Sequence, residues 1–221
     1  MNPGTIKAVL GRALGSIRYR AWLAALLVVA AMGPAHAQTR PFTIAVFGDS
    51  LAAGYGLPAD QAFPARLQTA LQAQGKTVKV VNAGVSGDTT AGGKARLDWT
   101  LSEKPDLVIL ELGANDALRG LAPEQTEANL DAMLARIKQA NIRVLLAGML
   151  APPNWGREYQ QQFDQLFPRL ARKHDVPLYA FFLDGVAADA TLNQPDGIHP
   201  NAQGVDVIVA RILASVLKAM Q

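Results

Sequence analysis

The sequence predicts an α/β fold, a three-layer doubly wound domain around a central five-stranded parallel sheet, and three observations predict it. Short apolar, β-branched runs alternate with helix-spaced segments from Phe42 to the C-terminus. The strand runs are apolar almost without a break, as strands buried on both faces of a parallel sheet are. Polar, glycine-bearing clusters fall just where strands stop, which is where ligands bind in such sheets. Right-handed crossovers then set helices on both faces.

Ahead of that pattern stands a different segment. Met1 to Arg20 holds Lys7, Arg12, Arg18 and Arg20 and no acid; an apolar run, Ala21 to Met32, and Ala35-His36-Ala37 follow. Basic stretch, short apolar core and A-x-A site read as a signal peptide over residues 1–37, cleaved after Ala37. The twelve-residue run falls short of the roughly 20 that cross a bilayer core, and Tyr19 separates the arginines that a twin-arginine signal would pair. The expectation is a single domain over residues 38–221, periplasmic or secreted, with no stable membrane anchor after cleavage.

Removing the leader takes four positive charges from a chain of net +3, leaving −1. The pI of 9.3 thus belongs mostly to the leader, and no basic face argues for nucleic acid or anionic lipid. The absence of cysteine excludes disulfides, thiolate nucleophiles, sulfur-based zinc sites and a lipoprotein anchor. The remaining 184 residues suit one core and are read as a monomer.

The elements follow in order. Phe42 to Phe47 is a first strand, stopped by Gly48, and Ala62 to Leu71 has helical spacing and ends before Gly75. Val78 to Val81 is a second strand, stopped by Asn82. Leu107 to Leu112, Val144 to Met149 and Pro177 to Phe182 supply the third, fourth and fifth. Helices are expected over Pro123 to Ala140, Glu158 to Lys173 and Pro200 to Met220, with Pro123 and Pro200 in the first turn, where proline is favoured.

Four clusters sit past strand ends on one edge of the sheet: Gly48-Asp49-Ser50-Leu51, Asn82 to Asp88, Gly113-Ala114-Asn115-Asp116, and Asp196-Gly197-Ile198-His199-Pro200. Beyond the leader only His174 and His199 could serve as a base. His174 ends a helix, where a cation is ordinary. His199 has Asp196 three residues before it, near enough to aim a carboxylate at the imidazole, although Asp196-Gly197 also reads as a turn with a helix cap. A metal site lacks the further cysteine or histidine to complete it.

Among serines, no Gly-x-Ser-x-Gly elbow occurs, and Ser215-Val216-Leu217-Lys218 lies inside a helix without its partner motifs. Ser86 lies several residues past its strand. Ser50 follows Gly48-Asp49 directly at a strand end; taken alone it reads equally well as a cap, but the other clusters at the same edge favour a nucleophile. Gly54-Tyr55-Gly56-Leu57-Pro58-Ala59 matches a dinucleotide fingerprint. It starts too late after its strand, and Asn82 stands where an acid should hold the ribose, so it reads as a turn.

In order and spacing these clusters resemble the blocks of GDSL-type, or SGNH, hydrolases, nearest to the periplasmic thioesterase I, lysophospholipase and arylesterase group. Gly48 to Tyr55, Ser86-Gly87-Asp88-Thr89, Leu112 to Gly120 and Asp196 to Pro200 carry the likeness. Ala114 and Ala117 depart from it, standing where that group more often has glycine. The resemblance implies a serine esterase acting through an acyl-enzyme on acyl esters and thioesters, including lysophospholipids and aryl esters, with no cofactor. Its triad would be Ser50, Asp196 and His199. Its oxyanion donors would be the backbone N–H of Ser50 and Gly87 and the amide of Asn115, although Gly87 alone reads also as a plain loop glycine. Asp49 and Asp116 are read as structural hydrogen-bonders.

Within that reading, the loop Met149-Leu150-Ala151-Pro152-Pro153-Asn154-Trp155-Gly156 is a candidate rim for the acyl tail through Leu150, Pro153 and Trp155. The other reading is that its apolar residues pack on the neighbouring helix. A carbohydrate O-acetylesterase or acyltransferase using the same triad, and a non-catalytic binding module of the same fold, stand as alternatives.

Overall fold

A computed structural model describes residues 40–221; the expected leader lies outside them. Five strands, β1 (Phe42–Gly48), β2 (Val78–Gly84), β3 (Leu107–Glu111), β4 (Arg143–Ala147) and β5 (Leu178–Tyr179), form one parallel sheet in the order β2-β1-β3-β4-β5. The helices are α1 (Ser50–Ala53), α2 (Phe63–Ala73), α3 (Thr90–Ser102), α4 (Ala114–Leu118), α5 (Pro123–Gln139), α6 (Arg157–His174) and α7 (Ala202–Ala219). Helix α2 packs on α7, while α3 packs on α5 and α5 on α6, so both faces of the sheet are covered. The predicted α/β architecture is the observed one.

Burial explains the apolar runs. Ile44 to Phe47 of β1, all of β3 and Val144 to Ala147 of β4 are buried, because helices lie over both faces. Phe163 and Phe167 from α6 add to the core, and Phe63 meets Phe182 edge-on at 5.0 Å between ring centres. The strand order reverses direction between β1 and β3, and in doubly wound sheets the crevice at that switch point is where ligands bind. The chain leaving β1 carries Ser50, and the chain leaving β3 carries Asn115.

Several boundaries differ from expectation for identifiable reasons. Strand β2 continues past Asn82 to Gly84, pairing with β1 to its end. A side chain at Gly84 would meet the Ala53 backbone nitrogen at 2.3 Å, so only glycine lets β2 run beside α1. Strand β5, an edge strand paired with β4, has two residues, and the chain then turns so that Phe182 N–H bonds the Gly148 carbonyl and its ring enters the core. Pro200 is not in the last helix. It bridges to Asn193, and Asn201 caps α7 by accepting from the Gly204 N–H at 3.0 Å. Helix α3 was not anticipated, since Gly92 and Gly93 weaken any helical expectation.

Candidate active site

The site begins where β1 stops. A side chain at Gly48 would meet Glu111 Oε2 at 2.3 Å and the Glu111 carbonyl at 2.5 Å, so only glycine lets the two central strands close here. Asp49 then caps α1, its Oδ1 accepting from the Leu51 N–H at 3.0 Å. Ser50 is the first residue of α1, where a backbone N–H has no partner within the helix. Gly54, at φ 81°, ends α1 with its N–H on the Ser50 carbonyl, so the glycines of the fingerprint-like stretch make a turn.

His199 Nε2 lies 2.9 Å from Ser50 Oγ, although the two are 149 residues apart in sequence. His199 Nδ1 lies 2.6 Å from Asp196 Oδ2. The other oxygen of Asp196 accepts from the backbone N–H groups of Ile198 at 2.9 Å and His199 at 3.0 Å. The His199 N–H bond first, then the imidazole and the Ile198 N–H, hold this carboxyl down at about 2, so it is an ionised acceptor at neutral pH. The orientation therefore fits a serine hydroxyl facing a base whose far nitrogen is held by a carboxylate.

Asn115 stands in the first turn of α4, after Gly113 at φ 122°. Its Nδ2 donates to Asp49 Oδ2 at 3.1 Å. Asp49 is fully buried, and burial pushes its carboxyl up to about 6. Beneath it Glu111, also fully buried, accepts from the Asp49 N–H at 3.3 Å. Burial first, and the neighbouring Asp49 second, drive the Glu111 carboxyl well above the usual range. Asp116 is structural as expected: it accepts from Thr90 N–H at 2.8 Å, from the Thr90 hydroxyl at 2.5 Å and from the Thr126 hydroxyl at 3.3 Å.

Ser50, Asn115 and His199 all line a cavity of about 670 Å³. Its other walls are chiefly apolar, including Leu118, Met149, Leu150, Pro153, Phe181 and Ile198. Gly87 lies in the exposed turn after β2 at φ 82°, its carbonyl accepting from Arg119 Nη2 at 2.9 Å, and it does not line the cavity. Neither does Trp155. Its indole N–H donates to the Ala117 carbonyl at 2.8 Å, and a side chain at Gly120 would meet its ring at 2.8 Å. Its ring neighbour is Tyr159 of α6, 6.4 Å away. The packing alternative describes Trp155, whereas Leu150 and Pro153 do face the cavity. His174, by contrast, is bound to Asp131 of α5 at 2.6 Å, an inter-helix tie rather than a cap of its own helix end.

Three residues at the site were not anticipated. Tyr55 lies against the His199 imidazole, ring centres 4.5 Å apart. Gln194 ties the two loops together by donating to the Tyr55 carbonyl at 2.7 Å and the Pro200 carbonyl at 3.0 Å. Arg96 of α3 donates to Asp88 at 2.6 Å, to the Ala83 carbonyl at 2.8 Å and to the Gly48 carbonyl at 2.9 Å, locking the ends of β1 and β2 to the turn that carries Gly87. Only a recognised α3 would have drawn attention to Arg96.

Residues 46–207 match the GDSL-like Lipase/Acylhydrolase family. The chain is 39% identical over 174 residues to an arylesterase of Vibrio mimicus, covering 78% of this chain and 87% of that protein. It is 44% identical over 160 residues to the thioesterase 1/protease 1/lysophospholipase L1 of Escherichia coli strain K12, covering 72% of this chain and 76% of that protein. The crystal structure of TesA superimposes with a TM-score of 0.77 at 39% identity, covering 80% of this chain and 99% of that one. A family match across most of the described domain, together with relatives this similar, establishes that the chain belongs to the GDSL-like lipase/acylhydrolase family and is an ester hydrolase.

Proposed function

We propose that this chain hydrolyses acyl esters and thioesters through a Ser50 acyl-enzyme, with His199 as base and Asp196 holding the imidazole. The single observation that carries the reading is the run from Ser50 Oγ to His199 Nε2 at 2.9 Å and from His199 Nδ1 to Asp196 at 2.6 Å. His199 takes the serine proton as Oγ attacks the acyl carbon, and returns it to the leaving alcohol or thiol. Water, activated by the same imidazole, then attacks the acyl-enzyme and releases the acid. The backbone N–H groups of Ser50 and Gly87 and the Asn115 amide would receive the oxyanion of each tetrahedral intermediate.

The apolar lining of the cavity supports a hydrocarbon acyl chain as the group bound, with Leu150 and Pro153 along it. Arylesters, lysophospholipids and acyl thioesters share that acyl half, and the names of the relatives make all three reasonable substrates to assay. The domain is proposed to act as a monomer, periplasmic or secreted after cleavage at Ala37; N-terminal sequencing of the exported protein tests the cleavage. No helix among the described residues is long and apolar enough to cross a membrane.

Ser50→Ala is expected to fold, to lose p-nitrophenyl ester hydrolysis and to refuse a fluorophosphonate label. Stoichiometric labelling of Ser50→Ala would place the nucleophile elsewhere.

A further inference from the structure

We propose that Asp49 is the positioning residue of the oxyanion hole: its carboxylate engages one amide hydrogen of Asn115 and thereby fixes the other toward the substrate oxygen. The inference rests on the reading of Asn115 as an oxyanion donor.

An asparagine side chain can sit in either of two flips, presenting NH₂ or C=O to a given point. Only one flip helps catalysis here, since a carbonyl oxygen facing the developing oxyanion would repel it. Something beside Asn115 must therefore choose. An ionised carboxylate accepts hydrogen bonds and donates none, so it can face only the NH₂ group. Asp49 Oδ2 lies 3.1 Å from Asn115 Nδ2, and Asp49 Oδ1 is already held by the Leu51 N–H at 3.0 Å. The carboxylate is thus fixed by α1, the same short helix that begins with Ser50. Nucleophile and amide donor are set by one rigid corner of the fold, although Asp49 and Asn115 are 66 residues apart.

The choice of residue adds a second argument. A neutral serine or asparagine caps a helix as well as aspartate does, and burying a carboxylate is costly. Asp49 is fully buried all the same, on top of a second buried acid, Glu111, whose Oε1 has no hydrogen-bond partner. Capping α1 does not require a charge there; holding Asn115 in one flip does. A group kept ionisable against its burial, at a cleft, is a mark of function.

The test is a cycle of Asp49→Asn, Asn115→Ala and the double variant, with kcat, KM and thermal midpoint measured for each on a p-nitrophenyl ester. In Asp49→Asn the side-chain oxygen stays on Leu51, so its NH₂ faces Asn115 and turns the Asn115 carbonyl inward. We expect kcat to fall about 10²-fold, near the ~10²–10³ lost when an oxyanion donor is removed, with KM within about threefold. The thermal midpoint at pH 8 should equal or exceed that of the wild type, opposite to the loss a purely structural residue would show. In the Asn115→Ala background, Asp49→Asn should cost less than about threefold further, since the two act as a unit.

Unchanged kcat in Asp49→Asn beside a large loss in Asn115→Ala overturns this inference alone, as does full additivity. No loss in Asn115→Ala removes the oxyanion reading and this inference with it. Asp49→Ser, which keeps an acceptor for Leu51 and none for Asn115, should show the same kcat loss should Asp49→Asn not fold. Independently of variants at 49, NMR of the wild type should show one Asn115 amide proton shifted downfield and slow to exchange. Two solvent-like protons overturn the proposal.

Discussion

Burial raises the Asp49 carboxyl to about 6 from an ordinary 3.8, so between those values the folded chain holds a proton that the unfolded chain has released. Stability attributable to this group therefore falls as pH rises through that interval. Above it the ionised carboxylate costs about 3 kcal/mol, since each tenfold change in proton affinity is worth about 1.36 kcal/mol. The groups that set this balance are the Leu51 N–H, the Asn115 amide and His199, which favour the charge, against burial and Asp116, which oppose it. Asp196 works in the other direction: held at about 2, it contributes stability above its ordinary range that is lost only in strong acid. Urea unfolding of wild type and Asp49→Asn from pH 4 to pH 8 should thus show the two converging near pH 4, the variant gaining on the wild type as pH rises toward about 6, and the gain levelling off above that. A pH-independent difference would mean that folding leaves the Asp49 carboxyl at its ordinary value, and a gain still growing at pH 8 would mean that Asp49 stays protonated at neutrality.

At the scale of elements, the Pro153–Trp155 turn is joined to α4 by the Trp155 N–H on the Ala117 carbonyl and to the loop after it by the ring lying over Gly120, whose φ of 63° and lack of a side chain make room for it. Tyr159 adds a second tie by donating to the Leu121 carbonyl at 2.8 Å. Trp155→Ala should lower stability by about 1–2 kcal/mol, the worth of a half-buried ring and one hydrogen bond, and reduce kcat/KM for acetyl and octanoyl esters by the same factor. A selective loss on octanoyl esters would put the ring on the acyl path after all. Trp155 also marks the limit of what could be read from sequence. Strands β1, β3 and β4 were legible because burial on both faces leaves uninterrupted apolar runs, and Asp196 and His199 because three residues and a turn join them. Whether Trp155 faced a cavity or a neighbouring loop depended on Gly120, far along the chain. Helix α3 was hidden by Gly92 and Gly93; a side chain at Gly93 would crowd the buried Leu112 side chain, a packing relation that no local pattern displays. Arg96 and the Asp49–Asn115 contact were hidden for the same reason.

Over the whole molecule, the sheet order places the ends of β1 and β3 at the switch point, and the last loop brings His199 across to them from beyond β5. The cavity that results has Ser50, Asn115 and His199 among its few polar walls and about 670 Å³ of space, enough for a chain of several carbons. Leu118, Leu150 and Ile198, each more than two-fifths exposed, line it too, so a longer chain continues along apolar surface toward solvent. Each methylene removed from water contributes about 0.8 kcal/mol, or about fourfold in kcat/KM while burial is complete. For p-nitrophenyl esters, kcat/KM should therefore climb from acetyl to medium chains and level off once added carbons reach the exposed rim. Leu150→Ala should reduce the medium-chain rate while leaving acetyl turnover nearly intact, as expected of an apolar side chain at the exposed rim of the cavity. An acetylesterase would instead show its highest kcat/KM at acetyl and no dependence on Leu150, and that profile would shift the substrate class from hydrocarbon acyl chains to acetyl groups on larger carriers.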